Sequence, residues 1–77
     1  MNRTEKILVV EDDRNIAMSL EKTFSREGYP VKVSRDVKSA RAQIESFDPD
    51  LIVLDWMLPD GDGLDLLRWL RARRCRL

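Results

Sequence analysis

Residues 49–63 read Pro49-Asp50-Leu51-Ile52-Val53-Leu54-Asp55-Trp56-Met57-Leu58-Pro59-Asp60-Gly61-Asp62-Gly63, an apolar run that stops at an aspartate and gives way to a turn rich in proline and glycine. A short apolar run bounded by turn signals suits a strand covered on both faces, as in a parallel sheet. The same order occurs earlier, where Ile7-Leu8-Val9-Val10 runs straight into Glu11 and Asp12. If both runs are neighbouring parallel strands, their C-terminal ends lie side by side. Glu11, Asp12 and Asp55 then converge in the crevice where open α/β sheets bind ligands. Two carboxylates about 4 Å apart repel by roughly 4 kcal/mol at an effective dielectric of about 20. A cluster of three stays ionised only beside a divalent metal or a cationic side chain. Oxygen ligands alone favour magnesium, manganese or calcium over zinc.

Outward from these runs the chain alternates strand and helix. Lys6 to Val10 reads as the first strand, and Asp13 can cap the helix that follows. In that helix Ile16, Ala17, Leu20 and Phe24 recur at helical spacing, and Gly28 supplies a left-handed stop. Tyr29 to Ser34 is a short strand, with Pro30 near its start where a missing amide is tolerated. Asp36 caps a second helix carrying Val37, Ala40, Ile44 and Phe47 on one face, and Asp48-Pro49 ends it, because proline pushes its predecessor out of the helical region. Leu51 to Leu54 is the third strand, Pro59 to Gly63 a turn, and Leu64, Leu67 and Leu70 open a third helix. Alternation with short connections calls for right-handed crossovers in a parallel sheet. Strands one and three both end in acids, so the first is central and the order is 2-1-3, the opening half of a flavodoxin-like sheet.

Seventy-seven residues hold one small domain, which buries only about 60% of its surface on folding and is of marginal stability. The net charge of zero says nothing about partners, because the charge is unevenly placed. Residues 1–67 carry nine basic and fourteen acidic side chains, and residues 68–77 carry five arginines and no acid. The lone Cys75 excludes an intramolecular disulfide and fits a reducing compartment. No apolar segment approaches the length of a membrane span and no signal peptide opens the chain, so the expected location is the cytoplasm.

The runs Ile7 to Asp13, Gly28-Tyr29 and, above all, Pro49 to Gly63 together resemble the receiver domain of bacterial two-component response regulators. The resemblance extends through residues 6–70. It implies that Asp55 is the phosphoacceptor and that Glu11 and Asp12 are the acidic pair holding magnesium. Asp55 and the backbone carbonyl of Met57 are implied as further ligands. It also implies a sensor histidine kinase as phosphoryl donor. The wording Leu54-Asp55-Trp56-Met57-Leu58-Pro59 is most similar to receivers joined to winged-helix DNA-binding domains, so DNA is expected to be reached only through such an output domain, in control of transcription. The chemistry is coherent with these roles. A carboxylate attacking an anionic phosphoryl group needs a metal to cancel charge in a loose transition state.

A receiver of this kind continues past its third helix with a fourth strand ending in Ser or Thr and a fifth ending in Lys, within the common domain range of about 100 to 150 residues. The expectation for residues 1–77 is therefore a partial receiver, a truncated (βα)3 unit lacking the fourth and fifth βα units and ending in or just after the third helix. The lysines are Lys6, Lys22, Lys32 and Lys38, and none falls where a partner for the phosphoryl group is expected. An unpaired third strand is expected to favour a homo-oligomer. The alternative function is a noncatalytic interaction fragment, impaired in phosphorylation by loss of that hydroxyl and lysine.

Other readings of single features are plainer. Turn chemistry accounts for Asp60 and Asp62 better than metal ligation. Trp56 is expected to be a partly buried aromatic, and the Met57 thioether to serve packing. Arg68, Arg71 and Arg74 fall near one helical face and suit phosphates, yet cations late in a helix are favourable through the macrodipole alone, and no groove-reading motif accompanies them. A magnesium-dependent aspartate hydrolase needs a second aspartate two residues after the nucleophile, where Met57 stands, so a phosphoryl acceptor is expected rather than a turnover enzyme.

Overall fold

The structure is a computed structural model that describes residues 3–55 and 57–73. Its elements are β1 (Ile7–Val10), α1 (Arg14–Arg26), β2 (Val31–Ser34), α2 (Val37–Phe47), β3 (Leu51–Leu54), β4 (Met57–Leu58), β5 (Gly61–Asp62) and α3 (Gly63–Arg73). The first three strands form a parallel sheet in the order β2-β1-β3, as expected. All four residues of β1 are buried, because this strand has a neighbour on each edge and helices over each face. Leu8 and Val10 point to the face packed by Val37, Ala40 and Ile44 of α2, Leu58 and Leu66. Side chains alternate along a strand, so Ile7 and Val9 serve the opposite face, where α1 lies.

Caps set the helix boundaries. Asp13 accepts from the backbone amides of Asn15 and Ile16 at the start of α1, and Asp36 accepts from Ser39 N at the start of α2. After α1 the chain turns at Gly28, whose φ of 92° is open to glycine without strain. After α2, Asp48 itself takes the left-handed conformation, at φ 51°. Aspartate tolerates that region better than most residues, and the helix ends before Pro49 by this route and not by an extended residue.

Several expectations shift in detail. The first strand begins at Ile7 and not Lys6, although Lys6 O accepts from the amides of Asp50 and Leu51. The second begins at Val31 and not Tyr29. The turn at Pro59 to Gly63 belongs to a minimal antiparallel hairpin, with Met57 opposite Asp62 and Leu58 opposite Gly61. On α3 the buried leucine is Leu66, 2% exposed, whereas Leu67 is 39% exposed. The helix leaves directly from the hairpin, with Asp62 accepting from Asp65 N, and this cap phases it so that Gly63, Leu66 and Leu70 point inward. On α1 the inward face is Ala17, Leu20 and Phe24, and Ile16 stands at its flank, 49% exposed.

Candidate functional site

The sheet ladder itself assembles the acids. Glu11 N donates to Ser34 O at 3.0 Å, and Asp55 N donates to Val10 O at 2.8 Å, so pairing continues one residue past β1 and β3. With Val10 in register with Leu54, Glu11 and Asp55 leave adjacent strand ends side by side, and Asp12 follows at the crevice. Each of Glu11, Asp12 and Asp55 offers one carboxylate oxygen, and all three oxygens lie within 4.8 Å of one another. Glu11 and Asp55 are half-buried and Asp12 is exposed.

This crowding shows in Glu11. Partial burial pushes its carboxyl above the ordinary glutamate value, and the Asp55 side chain, with the charges of Asp55 and Asp12, pushes the same way. A hydrogen bond from Asp13 N to Glu11 Oε2, 3.2 Å, opposes the shift without cancelling it. The charged neighbours acting on Glu11 are thus acids. Arg35, from the end of β2, donates to the backbone oxygen of Asp12 at 3.3 Å.

The donor set fits a hard divalent cation. Oxygens on opposite sides of an octahedral magnesium stand about 4 Å apart, twice the metal–oxygen distance. Neighbouring oxygens on the same octahedron stand about 3 Å apart, so three oxygens within 4.8 Å of one another are grouped on the scale of one such ion. Met57 begins β4 two residues after Asp55, and its amide stands 3.5 Å from Asp55 Oδ1. Its side chain is 73% exposed, which overturns the packing role expected of the thioether. The hairpin buries Leu58, and side-chain alternation turns Met57 outward.

The remaining acids of this loop have structural duties. Asp62 caps α3, in keeping with turn chemistry. Asp60 does more than close a turn: its two carboxylate oxygens accept from Val37 N and Lys38 N at 2.6 and 3.0 Å, across to the first turn of α2. No local pattern announces a partner 23 residues away. Arg68 and Arg71 are exposed on α3, as a solvated face requires. Trp56, Arg74 and Cys75 lie outside the described residues.

Residues 7–77 match the response regulator receiver domain family. The chain belongs to that family. Among curated relatives it is 45% identical over 67 residues to the response regulator MprA of Mycolicibacterium vanbaalenii, covering 87% of this chain and 29% of that one. To the alkaline phosphatase synthesis transcriptional regulatory protein PhoP of Bacillus subtilis it is 41% identical over 70 residues, covering 91% of this chain and 29% of PhoP. Among solved structures, the response regulator TrrA of Thermotoga maritima, in complex with Mg(2+)-BeF, superposes with a TM-score of 0.86 at 30% identity, over 92% of this chain and 62% of TrrA. The chain therefore spans under a third of these curated relatives and about three fifths of a solved receiver. The flavodoxin-like sheet order expected from the sequence is that of the receiver fold. Among the described residues no helix is long and apolar enough to cross a membrane.

Proposed function

We propose that this receiver takes a phosphoryl group from a sensor histidine kinase onto Asp55 in the cytoplasm, and that its parent controls an output domain acting on transcription. The observation that carries the proposal is the convergence of one oxygen each from Glu11, Asp12 and Asp55 at the C-terminal edge of the sheet. Asp55 directly follows β3 with its amide tied to Val10 O, so its carboxylate is held at the mouth of the crevice. One Asp55 oxygen attacks phosphorus in line with the scissile bond. The P–N bond of the phosphohistidine breaks, its electron pair stays on the imidazole, and an acyl phosphate forms on Asp55. Glu11, Asp12, Asp55 and the Met57 carbonyl would hold magnesium. When bound, that ion would offset part of the negative charge that the three carboxylates and the phosphoryl oxygens bring together. The naming of PhoP as a transcriptional regulatory protein supports the output assignment.

Residues 1–77 act in this reading as a partial receiver. Lys6 and Lys32 lie over the Phe47 ring, tied to the end of α2, away from the acids that follow β1 and β3. With these two lysines held at Phe47 and not on the phosphoryl oxygens, slow acceptance is expected. That favours as second reading an interaction fragment that associates through β3, and a second copy of this chain is the occupant its uncharged edge suits. Intact-mass measurement after incubation with a histidine kinase, or with a small acyl phosphate, tests the acceptor role. A slow gain of one phosphoryl group that Asp55→Asn abolishes is expected. Labelling that survives Asp55→Asn places the acceptor elsewhere, and no labelling at all favours the interaction reading.

A further inference from the structure

In the proposed reading the loop that leaves Asp55 presents the Met57 carbonyl at the cation site, yet among the described residues β4 and β5 pair only with each other. Three anchors hold this hairpin. Leu58 is buried in the core beneath it, and Asp62 caps α3 at its exit. At its tip, Asp60 spans Val37 N and Lys38 N of α2. The first amides of a helix lack partners within it, and α2 meets that need only in part by itself, since Asp36 takes Ser39 N at 2.7 Å. Asp60 takes the two amides before it. The approach is close: a Cβ at Gly61 would stand 3.2 Å from Val37 Cγ2, so glycine lets the hairpin tip settle against α2.

From this geometry we infer that Asp60 is a positioning residue for the cation site, fixing the hairpin that carries Met57 by latching its tip to the first turn of α2. The inference rests on the reading of Glu11, Asp12, Asp55 and the Met57 carbonyl as a metal site. Asp60 touches none of these acids. It acts through the loop, because a ligand set works only when held to within about 0.5 Å of its productive geometry. The latch also links α2 to the loop beyond the phosphoacceptor, so that movement of one is felt at the other.

Manganese binding to the 77-residue chain, followed by electron paramagnetic resonance, separates a positioning role from simple helix stabilisation when read beside metal-free urea melts. Asp60→Ala is expected to bind manganese about tenfold more weakly, as loss of outer-shell support commonly does. Asp60→Asn, which keeps one acceptor oxygen, should fall between it and wild type, and it decides the matter if the alanine variant does not fold. Asp36→Ala removes a cap from the same turn of the same helix. It should lower stability and leave manganese affinity unchanged. Wild-type affinity in both Asp60 variants, or an equal loss in Asp36→Ala, overturns the positioning role alone. Failure of wild type to bind manganese, or binding indifferent to Asp12→Ala, overturns the metal-site reading and this inference with it.

Discussion

Two carboxylates are displaced in opposite directions, and each displacement is a statement about stability. Glu11 titrates above its ordinary value of 4.5, because burial and then its acidic neighbours disfavour its charge. Folded protein therefore holds a proton there that unfolded chain has released, and stability falls as pH rises from 4.5 through the raised value. Asp60 titrates below its ordinary 3.8, chiefly because Val37 N–H bonds its charged form. Its contribution is present above 3.8 and is lost as pH falls through the lower folded value. Urea melts of metal-free protein should accordingly show Glu11→Gln flattening the upper limb and Asp60→Asn the lower. Magnesium should reverse the upper limb, since metal binds the deprotonated acids. At a hundred times its dissociation constant it adds about 2.7 kcal/mol. The same gain in Asp12→Ala as in wild type would remove Asp12 from the site.

At the scale of elements, the informative case is α3, where neighbouring leucines differ sharply in environment. Leu66 is 2% exposed within the cluster formed by Leu8, Val10, Val37, Ala40, Ile44 and Leu58, whereas Leu67 is 39% exposed. Leu66→Ala should cost about 2–5 kcal/mol, through lost transfer energy and the cavity left behind. Leu67→Ala should stay within about 0.5 kcal/mol, as for a surface position. A larger cost for Leu67→Ala than for Leu66→Ala in urea denaturation would mean that α3 packs in the phase its leucine spacing suggests and not in the one the hairpin imposes. Leu64, Leu67 and Leu70 do recur at helical spacing, but Leu66, Trp69 and Leu70 make an equally apolar stripe. The Asp62 cap and the short path from Leu58 choose between them.

For the molecule as a whole, β3 pairs with β1 on one side and with no other strand among the described residues. Leu51 is 50% exposed, and beside this edge Ile52 and Leu54 line an apolar groove with Leu66, Leu67 and Leu70. Neither charge nor proline interrupts Leu51 to Leu54, and such an edge is a template for another strand. A two-fold pairing of β3 with β3 of a second copy satisfies both edges at once and continues the sheet. Light scattering after size exclusion at micromolar concentration should report a dimer or larger species. A compact monomer that unfolds cooperatively would show that the three-stranded sheet with its hairpin and three helices needs no second copy on β3.

The sequence by itself determined the sheet and the acidic triad. Both rest on local grammar: β1 and β3 are unbroken apolar runs, each followed at once by acid, and parallel pairing in register carries those acids together without further instruction. Asp13 and Asp36 were legible for the same reason, since a cap and the amides it serves lie within three residues. What only the tertiary structure decided depends on groups distant in sequence. Asp60 reaches α2 because the hairpin tip happens to face unpaired amides, and the exposure of Met57 follows from burying its neighbour Leu58. The phase of α3 is likewise inherited from the hairpin, because an apolar stripe specifies that a helix has an inner face but not which of two adjacent faces its entry point will turn to the core.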